Sequence, residues 1–193
     1  MIGNDVVDLQ LAARQSDWRR NGFLEKVFSA EERLQISAAK DPEKLVWLFW
    51  SMKEAAYKAH QRRCNLPRKL NWQDFSCSLN KIGDCAASGV VRIAESEFFT
   101  ASEIARNYIY TSAEASELRG VKNGIFETSS AEMKQLFLQE ISEVYKLPRE
   151  QLQLEKNTHG IPFVAYRKMP FFEGFSFSGH GRYCAFSMAV NDL

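Results

Sequence analysis

The segment from Pro42 to Arg63 constrains the fold of this chain more than any other stretch. It begins with a proline, continues with good helix formers and meets no helix breaker until Pro67. Apolar residues recur in it at steps of three and four, so that one face of the helix is apolar. These positions are Leu45, Leu48, Phe49, Met52, Ala56 and Ala59. The segment therefore predicts one long amphipathic helix against which the rest of the chain packs.

Three charged side chains of this helix have a spacing that suits an anionic ligand with a divalent ion. Glu54 and Lys58 are four residues apart and are therefore neighbours on one face, whereas Lys53 projects at a different angle. The same spacing also fits an ordinary ion pair on a solvated face, which is common on exposed helices. Spacing alone leaves both interpretations open.

Three motifs resemble the signature of the 4′-phosphopantetheinyl transferases. The segment Trp50-Ser51-Met52-Lys53-Glu54-Ala55, followed by Lys58, resembles the W-x-x-K-E-A-x-x-K helix of that family. Gly3-Asn4-Asp5 resembles its G-x-D motif. Gly160-Ile161-Pro162, followed by Ser178-Gly179-His180, resembles its G-K-P…S-H-S segment. The motif order resembles that of the small holo-acyl-carrier-protein synthases, whereas the chain length resembles the larger surfactin-synthetase-activating type.

The resemblance implies an α+β fold in which two similar halves form a pseudo-dimer with the active site between them. We predict a first half over residues 1–113, with the G-x-D and W-x-x-K-E-A-x-x-K motifs, and a second half over residues 114–193, with the G-x-P and S-x-H segments. The polar stretch from Glu114 to Ser129 is the predicted boundary, because it contains Gly120 and Gly124. Since two fused halves already form the interface, we expect a monomer.

Local patterns predict the elements of each half. A strand is expected from Ile2 to Leu9, followed by a helix from about Gln10 to Arg20. Ser29 with Glu32 predicts a capping box, and a helix is expected from Ser129 or Ser130 to about Tyr145. The other predicted strands are Trp72–Leu79, Gly89–Ala94, Phe98–Phe99, Asn107–Thr111, Leu152–Leu154, Phe163–Ala165 and the region Phe175–Val190, with a turn at Asn80–Asp84 and a loop at Pro170.

The resemblance also implies a reaction: transfer of phosphopantetheine from coenzyme A to a serine of a carrier protein, with release of 3′,5′-adenosine bisphosphate. Asp5 and Glu54 are then the expected ligands of Mg²⁺, an ion that commonly uses one or two carboxylates together with phosphates and waters. Glu54 is also the expected base, directly or through a water, and Lys58 would neutralise the pyrophosphate. Val7 stands where the larger relatives often carry a third carboxylate. Asp8 would face away from Asp5 and is less suited to the metal.

Contacts to coenzyme A are expected from five residues of the motifs. They are Lys53, Lys58, Ser178, His180 and Arg182. His180 is displaced by one position relative to the family's S-H-S, and such a shift on a strand reverses the direction of the side chain. Either a bulge at Gly179 restores the histidine, or Ser178 and Arg182 bind the nucleotide phosphate. The G-x-P segment lacks the family's lysine, for which Lys156 and His159 are nearby substitutes.

Basic residues that follow the first strand are candidates for contact with an acyl or peptidyl carrier protein. Carrier proteins are acidic around the modified serine, and the small synthases carry carrier-binding arginines on the helix after this strand. The corresponding residues here are Arg14, Arg19 and Arg20. A solvated helix face would give the same pattern, so the sequence alone does not decide between the two.

Composition favours a protein of the cytoplasm without a nucleic-acid or membrane partner. The net charge of +1 provides no overall field toward nucleic acid or anionic lipid. Met1–Leu9 carries two acids and no long apolar run, so no signal peptide is expected, and no later run is long enough to predict a membrane span. The four cysteines form no C-x-x-C pair, which favours free thiols in a reducing compartment.

Two alternatives to an active transferase remain open at this stage. The altered S-H-S and G-K-P segments would also suit a catalytically silent module that binds a carrier protein. A ferredoxin-like nucleic-acid binder using Arg62 and Arg63 is the third hypothesis, and the near-neutral charge and the lack of an aromatic RNP-type strand argue against it.

Overall fold

A computed structural model describes residues 1–115 and 120–190 of the chain, which form five helices and eleven strands. In chain order they are β1 (Ile2–Asp8), α1 (Leu9–Gln15), α2 (Phe23–Val27), α3 (Ala30–Ala38), α4 (Pro42–Cys64), β2 (Phe75–Ile82), β3 (Ala86–Ile93), β4 (Ser96–Ile104), β5 (Tyr108–Glu114), β6 (Val121–Glu127), α5 (Ser130–Tyr145), β7 (Leu152–Lys156), β8 (Pro162–Tyr166), β9 (Met169–Phe172), β10 (Phe175–His180) and β11 (Tyr183–Ala189). The predicted α+β class is confirmed.

Helix α4 is the central element of the N-terminal part. The Asp41 carboxylate accepts a hydrogen bond from the Lys44 amide at 3.1 Å, Pro42 occupies the first turn, and Asn65 ends the helix in the left-handed conformation at φ 48°. The apolar face is buried against a five-stranded antiparallel sheet of order β1-β5-β4-β3-β2. The long amphipathic helix predicted from the sequence is therefore confirmed.

Strand β1 packs directly on α4 because Gly3 has no side chain. A Cβ atom at Gly3 would lie 2.0 Å from the carbonyl oxygen of Ala55 and 2.5 Å from the amide nitrogen of Ala59. Any larger residue would push the strand away from the helix. The glycine of the G-x-D motif thus sets the distance between β1 and α4. Asp5, two residues further along the same face of β1, is thereby brought to Lys58.

The C-terminal part is built from two three-stranded sheets, β10-β11-β6 and β7-β8-β9, with α5 packed against them. Helix α5 starts at Ser130, with Ser129 as its N-cap, one of the two predicted positions, and the cap is a capping box: the Glu132 amide donates to Ser129 Oγ, and the Ser129 amide donates to the Glu132 carboxylate. Phe137 on α5 packs on Phe175 of β10, with ring centroids 4.6 Å apart. This second core is separate from the one under α4.

Strand β1 joins the two parts because its alternating side chains meet different partners. Asp5 faces α4, whereas Asn4 faces the C-terminal part, where its Nδ2 donates to Ser178 Oγ at 3.1 Å. The Asn4 amide also donates to Ser176 Oγ at 3.1 Å. Further along, Val6 packs with Tyr183 and Ala185 of β11. Because side chains alternate along the strand, β1 directs the Asp5 carboxylate toward α4 from one face and binds β10 through Asn4 from the other.

Several elements differ from the sequence-based prediction. The strand predicted from Trp72 to Leu79 begins only at Phe75, after a 3-10 turn, and it continues to Ile82, so that most of the predicted turn at Asn80–Asp84 belongs to β2. Helix α1 ends at Gln15 instead of Arg20, because the Asp17 carboxylate accepts from the Arg19 amide at 3.0 Å and forms a turn there. Strand β6 lies in the predicted boundary, where Gly124 suggested a linker. The glycine is instead part of the strand, where it leaves room for the Phe186 ring, since a Cβ atom there would lie 2.7 Å from that ring. Pro170 belongs to the edge strand β9, where a missing amide is tolerated.

The predicted division of the chain at residue 113 stays a prediction. Residues 116–119 of the predicted boundary lie outside the described residues, and β5 ends at Glu114 just before them. Over 1–115 and 120–190, no helix combines the length and the apolar character needed to cross a membrane.

Candidate active site

Two carboxylates and a lysine meet where β1 lies against α4. Lys58 Nζ lies 3.2 Å from Asp5 Oδ1 and donates to the Asn4 carbonyl at 2.8 Å. Asp5, Glu54 and Lys58 line one cavity of about 260 Å³, which we call the carboxylate cavity. Trp47, Trp50, Ala12 and Ser16 line the same cavity. Residues 5 and 54, distant in the sequence, therefore share one site.

The electrostatics of this carboxylate pair suit a hard divalent cation. Burial raises the pKa of Asp5 in spite of its ion pair with Lys58. Burial, and then the charge of Asp5, raise the pKa of Glu54 to about 7. Carboxylates that are withdrawn from water and repel each other are stabilised when a cation binds between them.

The number of acidic ligands also fits Mg²⁺. Within the parts of the chain that the structure describes, no cluster of three or more His, Cys, Asp or Glu side chains is placed to hold a metal ion. Asp5 and Glu54 provide two carboxylates, and Mg²⁺ typically takes one or two together with phosphate oxygens and waters. The residues present therefore fit this ion with an anionic substrate as a further ligand.

A second cavity of about 460 Å³ adjoins the first and is strongly basic; we call it the basic cavity. Its charged lining consists of Lys58, Arg62, Arg68 and Lys156, and Glu54 is the one acid among its described lining residues. Glu54, Lys58, Arg68 and Gly179 line both cavities. An anion in the basic cavity would therefore end beside the carboxylate pair.

A third cavity of about 810 Å³ continues from the basic cavity into the C-terminal part, and we call it the outer cavity. Lys156, Gly160, Pro162 and Ser178 line both of these cavities. The polar lining of the outer cavity also includes the start of α5, Lys134, His180 and one acid, Glu155. The G-x-P and S-x-H segments, which are far apart in the sequence, therefore border one continuous space.

The displaced histidine of the S-x-H segment is not restored by a bulge. Strands β10 and β11 pair without a shift of register from Phe175 to His180, so the predicted alternative of a bulge at Gly179 is wrong. His180 Nδ1 instead accepts a hydrogen bond from the Asp8 amide at 2.9 Å. The proton of the neutral ring must then lie on Nε2. Burial lowers the pKa of His180, which favours this neutral form.

Arg182 has a different partner from the predicted one. Its Nε and Nη2 atoms donate to the two carboxylate oxygens of Asp8 at 2.9 and 3.0 Å, and its amide donates at 3.1 Å. Arg182 lines none of the three cavities described above. Arg182 therefore holds Asp8, which caps α1 and lies on the face of β1 opposite Asp5, and its contact with coenzyme A stays a prediction.

This ion pair predicts a specific pH dependence of stability. Hydrogen bonds from Arg182 hold the pKa of Asp8 well below its ordinary value of about 3.9. A carboxyl group of this kind stabilises the fold above its ordinary pKa, and the stabilisation is lost as the pH falls through the lowered value. We expect Asp8→Asn to unfold at lower urea than the wild type at pH 7, with the difference shrinking below about pH 4. If the difference in urea stability between Asp8→Asn and the wild type were the same at pH 7 and at pH 3, the stabilising role of the Asp8–Arg182 ion pair would be contradicted.

Lys53 is buried beneath the site and does not line it. Its side chain is 0% exposed, and Nζ lies 2.8 Å from Glu32 Oε2 and donates to the Val27 carbonyl at 2.8 Å. Glu32 in turn accepts from the amides of Ser29 and Cys77. The predicted contact between Lys53 and coenzyme A is therefore corrected, because a phosphate could reach this ammonium group only if the core opened.

The three predicted carrier-binding arginines are exposed, but they do not lie on one helix. Arg14 is in the last turn of α1, and α1 also provides Ala12 to the carboxylate cavity. Arg19 and Arg20 lie in the loop that follows, with Arg19 4.0 Å from the ring centroid of Trp18. The predicted contact with a carrier protein stays a prediction.

Arg68 is the site residue that the sequence did not indicate. Arg68 and Lys69 form a short basic stretch that is typical of a solvated surface, whereas the structure places Arg68 in the lining of both the carboxylate and basic cavities. The available signal was its position directly after Pro67, where the chain turns at the end of the signature helix.

The comparison with protein-family models agrees with the motifs. The model of the 4′-phosphopantetheinyl transferase superfamily matches residues 1–116. No curated protein matches the chain. Among solved structures, holo-[acyl-carrier-protein] synthase (AcpS) of Thermotoga maritima is similar with a TM-score of 0.43 and 12% identity, over 88% of this chain and 83% of that chain. Since the family model covers more than half of the sequence, this chain belongs to the 4′-phosphopantetheinyl transferase superfamily.

Proposed function

We propose that this protein transfers the 4′-phosphopantetheine group of coenzyme A to a serine of an acyl or peptidyl carrier protein and releases 3′,5′-adenosine bisphosphate. The observation that carries this proposal is the position of the Asp5–Glu54 pair at one end of the basic cavity. Glu54 and Lys58 line both the basic and the carboxylate cavities, and Lys58 donates to Asp5. A diphosphate is the anion that would match four basic side chains beside two carboxylates.

The reaction forms a bond from the serine oxygen to the β-phosphorus and breaks the bond from that phosphorus to the bridging oxygen of the diphosphate. Negative charge then grows on the departing adenosine bisphosphate, and Lys58 is placed to neutralise it. Glu54 borders both cavities and accepts the serine proton, directly or through a water. The proposed catalytic residues are therefore Glu54 and Lys58.

Asp5 and Glu54 are the proposed ligands of Mg²⁺, which when bound would neutralise the diphosphate and polarise its phosphoryl oxygens. Their oxygen ligands and their small number suit this ion. Lys58, which already pairs with Asp5 at 3.2 Å, keeps that carboxylate directed toward the shared end of the two cavities.

Coenzyme A is proposed to extend from the basic cavity into the outer cavity. Ser178 and Lys156 line both, and His180 offers its Nε2–H as a donor to the outer cavity. Lys156 and His159 provide basic groups near the position where the G-x-P segment lacks its lysine. The cavities thus support three of the predicted contacts, namely Lys58, Ser178 and His180, together with Lys156 as the substitute for the missing lysine.

The carrier protein is proposed to approach over α1, through Arg14, Arg19 and Arg20. These arginines are exposed, and α1 borders the carboxylate cavity, where the serine must arrive. We further propose a monomer made of two halves, residues 1–113 and 114–193, with the site between them. The free thiols of Cys64, Cys77, Cys85 and Cys184 suit a reducing, cytoplasmic compartment.

The direct test is incubation of the protein with coenzyme A, Mg²⁺ and a panel of apo acyl and peptidyl carrier proteins, followed by intact-mass spectrometry. We expect one carrier to gain the mass of one phosphopantetheine group, and a carrier whose serine is replaced by alanine to gain none. Binding of a carrier without any mass gain would favour the silent carrier-binding module. Neither binding nor a mass gain across the panel would contradict the proposed function.

A further inference from the structure

The loop after α4 carries a basic side chain to the boundary between two cavities. Arg68 and Lys58 line both the carboxylate cavity and the basic cavity, whereas Arg62 and Lys156 line the basic cavity without reaching the other. Glu54 lies at the same boundary. Arg68 is therefore placed beside the two groups to which the proposed function gives the chemical step.

The backbone on either side of Arg68 is fixed. Gln61 Nε2 donates to the Leu66 carbonyl at 3.1 Å, and the Leu66 amide donates to the Gln61 carbonyl at 3.0 Å. Asn157 Nδ2 donates to Asn65 Oδ1 at 3.0 Å, which ties the start of the loop to the C-terminal part. Leu70 packs against the core under α4. The loop therefore presents the Arg68 side chain from a held position.

The Arg68 guanidinium remains available for a ligand. Among residues 1–115 and 120–190, its nitrogens form no ion pair within 4.0 Å, unlike those of Arg182, which are taken by Asp8. The side chain is exposed. Its charge acts on the Glu54 carboxylate, so the two groups are within electrostatic reach of each other. A cation held at a cavity mouth without its own counter-ion is suited to an anionic substrate.

We propose, on the basis of the function above, that Arg68 binds the diphosphate of coenzyme A and not its 3′-phosphate. The phosphorus that reacts must lie near Glu54 and Lys58, which is where Arg68 borders both cavities. The 3′-phosphate is at the nucleotide end of coenzyme A, which in the proposed binding mode extends away from this boundary toward the outer cavity. A guanidinium binds two phosphate oxygens through a planar pair of parallel N–H donors, a geometry that a lysine ammonium does not reproduce.

The test compares two donors, coenzyme A and 3′-dephospho-coenzyme A, in the carrier-modification assay. We expect Arg68→Ala to lower kcat/KM by about 10- to 100-fold with both donors, because a charge-assisted contact is lost. Arg68→Lys is expected to recover part of the loss. Lys69→Ala is the matched control: Lys69 is the exposed neighbour on the same loop and lines neither cavity, so its kcat/KM should equal that of the wild type.

Two results would overturn the assignment while leaving the proposed function in place. Wild-type kcat/KM in Arg68→Ala would show that Arg68 does not bind the substrate. A loss that is seen with coenzyme A and vanishes with 3′-dephospho-coenzyme A would place Arg68 on the 3′-phosphate. An inactive wild type would instead contradict the proposed function. In that case titration with inorganic pyrophosphate tests the assignment of Arg68 by itself. Weaker pyrophosphate binding by Arg68→Ala than by the wild type would support the assignment, and equal binding would overturn it.

Discussion

Replacement of Lys53 by methionine is expected to lower the free energy of unfolding by about 3–5 kcal/mol, because it leaves the Glu32 carboxylate buried without its partner. Both side chains are withdrawn from water, at 0% and 1% exposure, and their contact is 2.8 Å. Together they connect α2, α3, α4 and β2. The KM for coenzyme A should remain close to the wild-type value at a temperature where the variant is folded, since Lys53 lines none of the three cavities.

Urea denaturation of Lys53→Met, Glu32→Gln and the double variant measures this effect. We expect the double variant to be more stable than the sum of the two single losses predicts, because neither charge is then left alone. The interpretation fails if Lys53→Met keeps wild-type stability and instead raises the KM for coenzyme A severalfold. That result would return Lys53 to the phosphate-binding role expected from the motif.

Replacement of Asp5 by asparagine or of Glu54 by glutamine is expected to reduce transfer to the carrier by at least about 100-fold, since each removes a charge at the reacting phosphate. Both variants keep the size of the side chain, so the packing of β1 on α4 should survive. The rate of carrier modification at saturating Mg²⁺, measured by mass spectrometry, checks this. Glu31→Gln on the exposed face of α3 is the control and should keep the wild-type rate.

Stability separates a chemical role from a structural one in these variants. The pair is partly buried and its pKa values are raised, so removing either charge relieves repulsion. Asp5→Asn and Glu54→Gln should therefore be no less stable than the wild type by more than about 1 kcal/mol. A fully active Asp5→Asn protein would refute the metal-ligand assignment.

Local signals in the sequence were sufficient for the elements that carry the site. The period of three and four residues, the proline at the start and the absence of breakers predicted α4. The Ser29 capping box predicted the start of α3, and the serines at 129 and 130 predicted the start of α5. Gly3 had a physical role that the sequence could only suggest: it lets β1 approach α4 closely enough for Asp5 to meet Lys58.

Features that depend on distant partners could not be predicted from the sequence. The helical pattern shows that the Lys53 side chain projects from α4 in a different direction from those of Glu54 and Lys58. It does not show that Lys53 forms a buried ion pair with Glu32. Likewise, the sequence gives no sign that Arg182 bonds to the side chain of Asp8, or His180 Nδ1 to its amide, because Asp8 lies 174 and 172 residues away. Arg68 was missed because its only local signal, the position after Pro67 at the end of α4, does not show which cavity the side chain borders.

The central claim is that Asp5 and Glu54 hold one divalent cation at the mouth of a diphosphate site. A crystal structure of the complex with coenzyme A and Mn²⁺, examined by anomalous scattering, tests it most directly. We expect one Mn²⁺ peak at ligand distance, about 2.1–2.2 Å, from an oxygen of each carboxylate, with diphosphate oxygens completing the coordination. A peak bound elsewhere, or one that contacts the diphosphate without touching both Asp5 and Glu54, would contradict it.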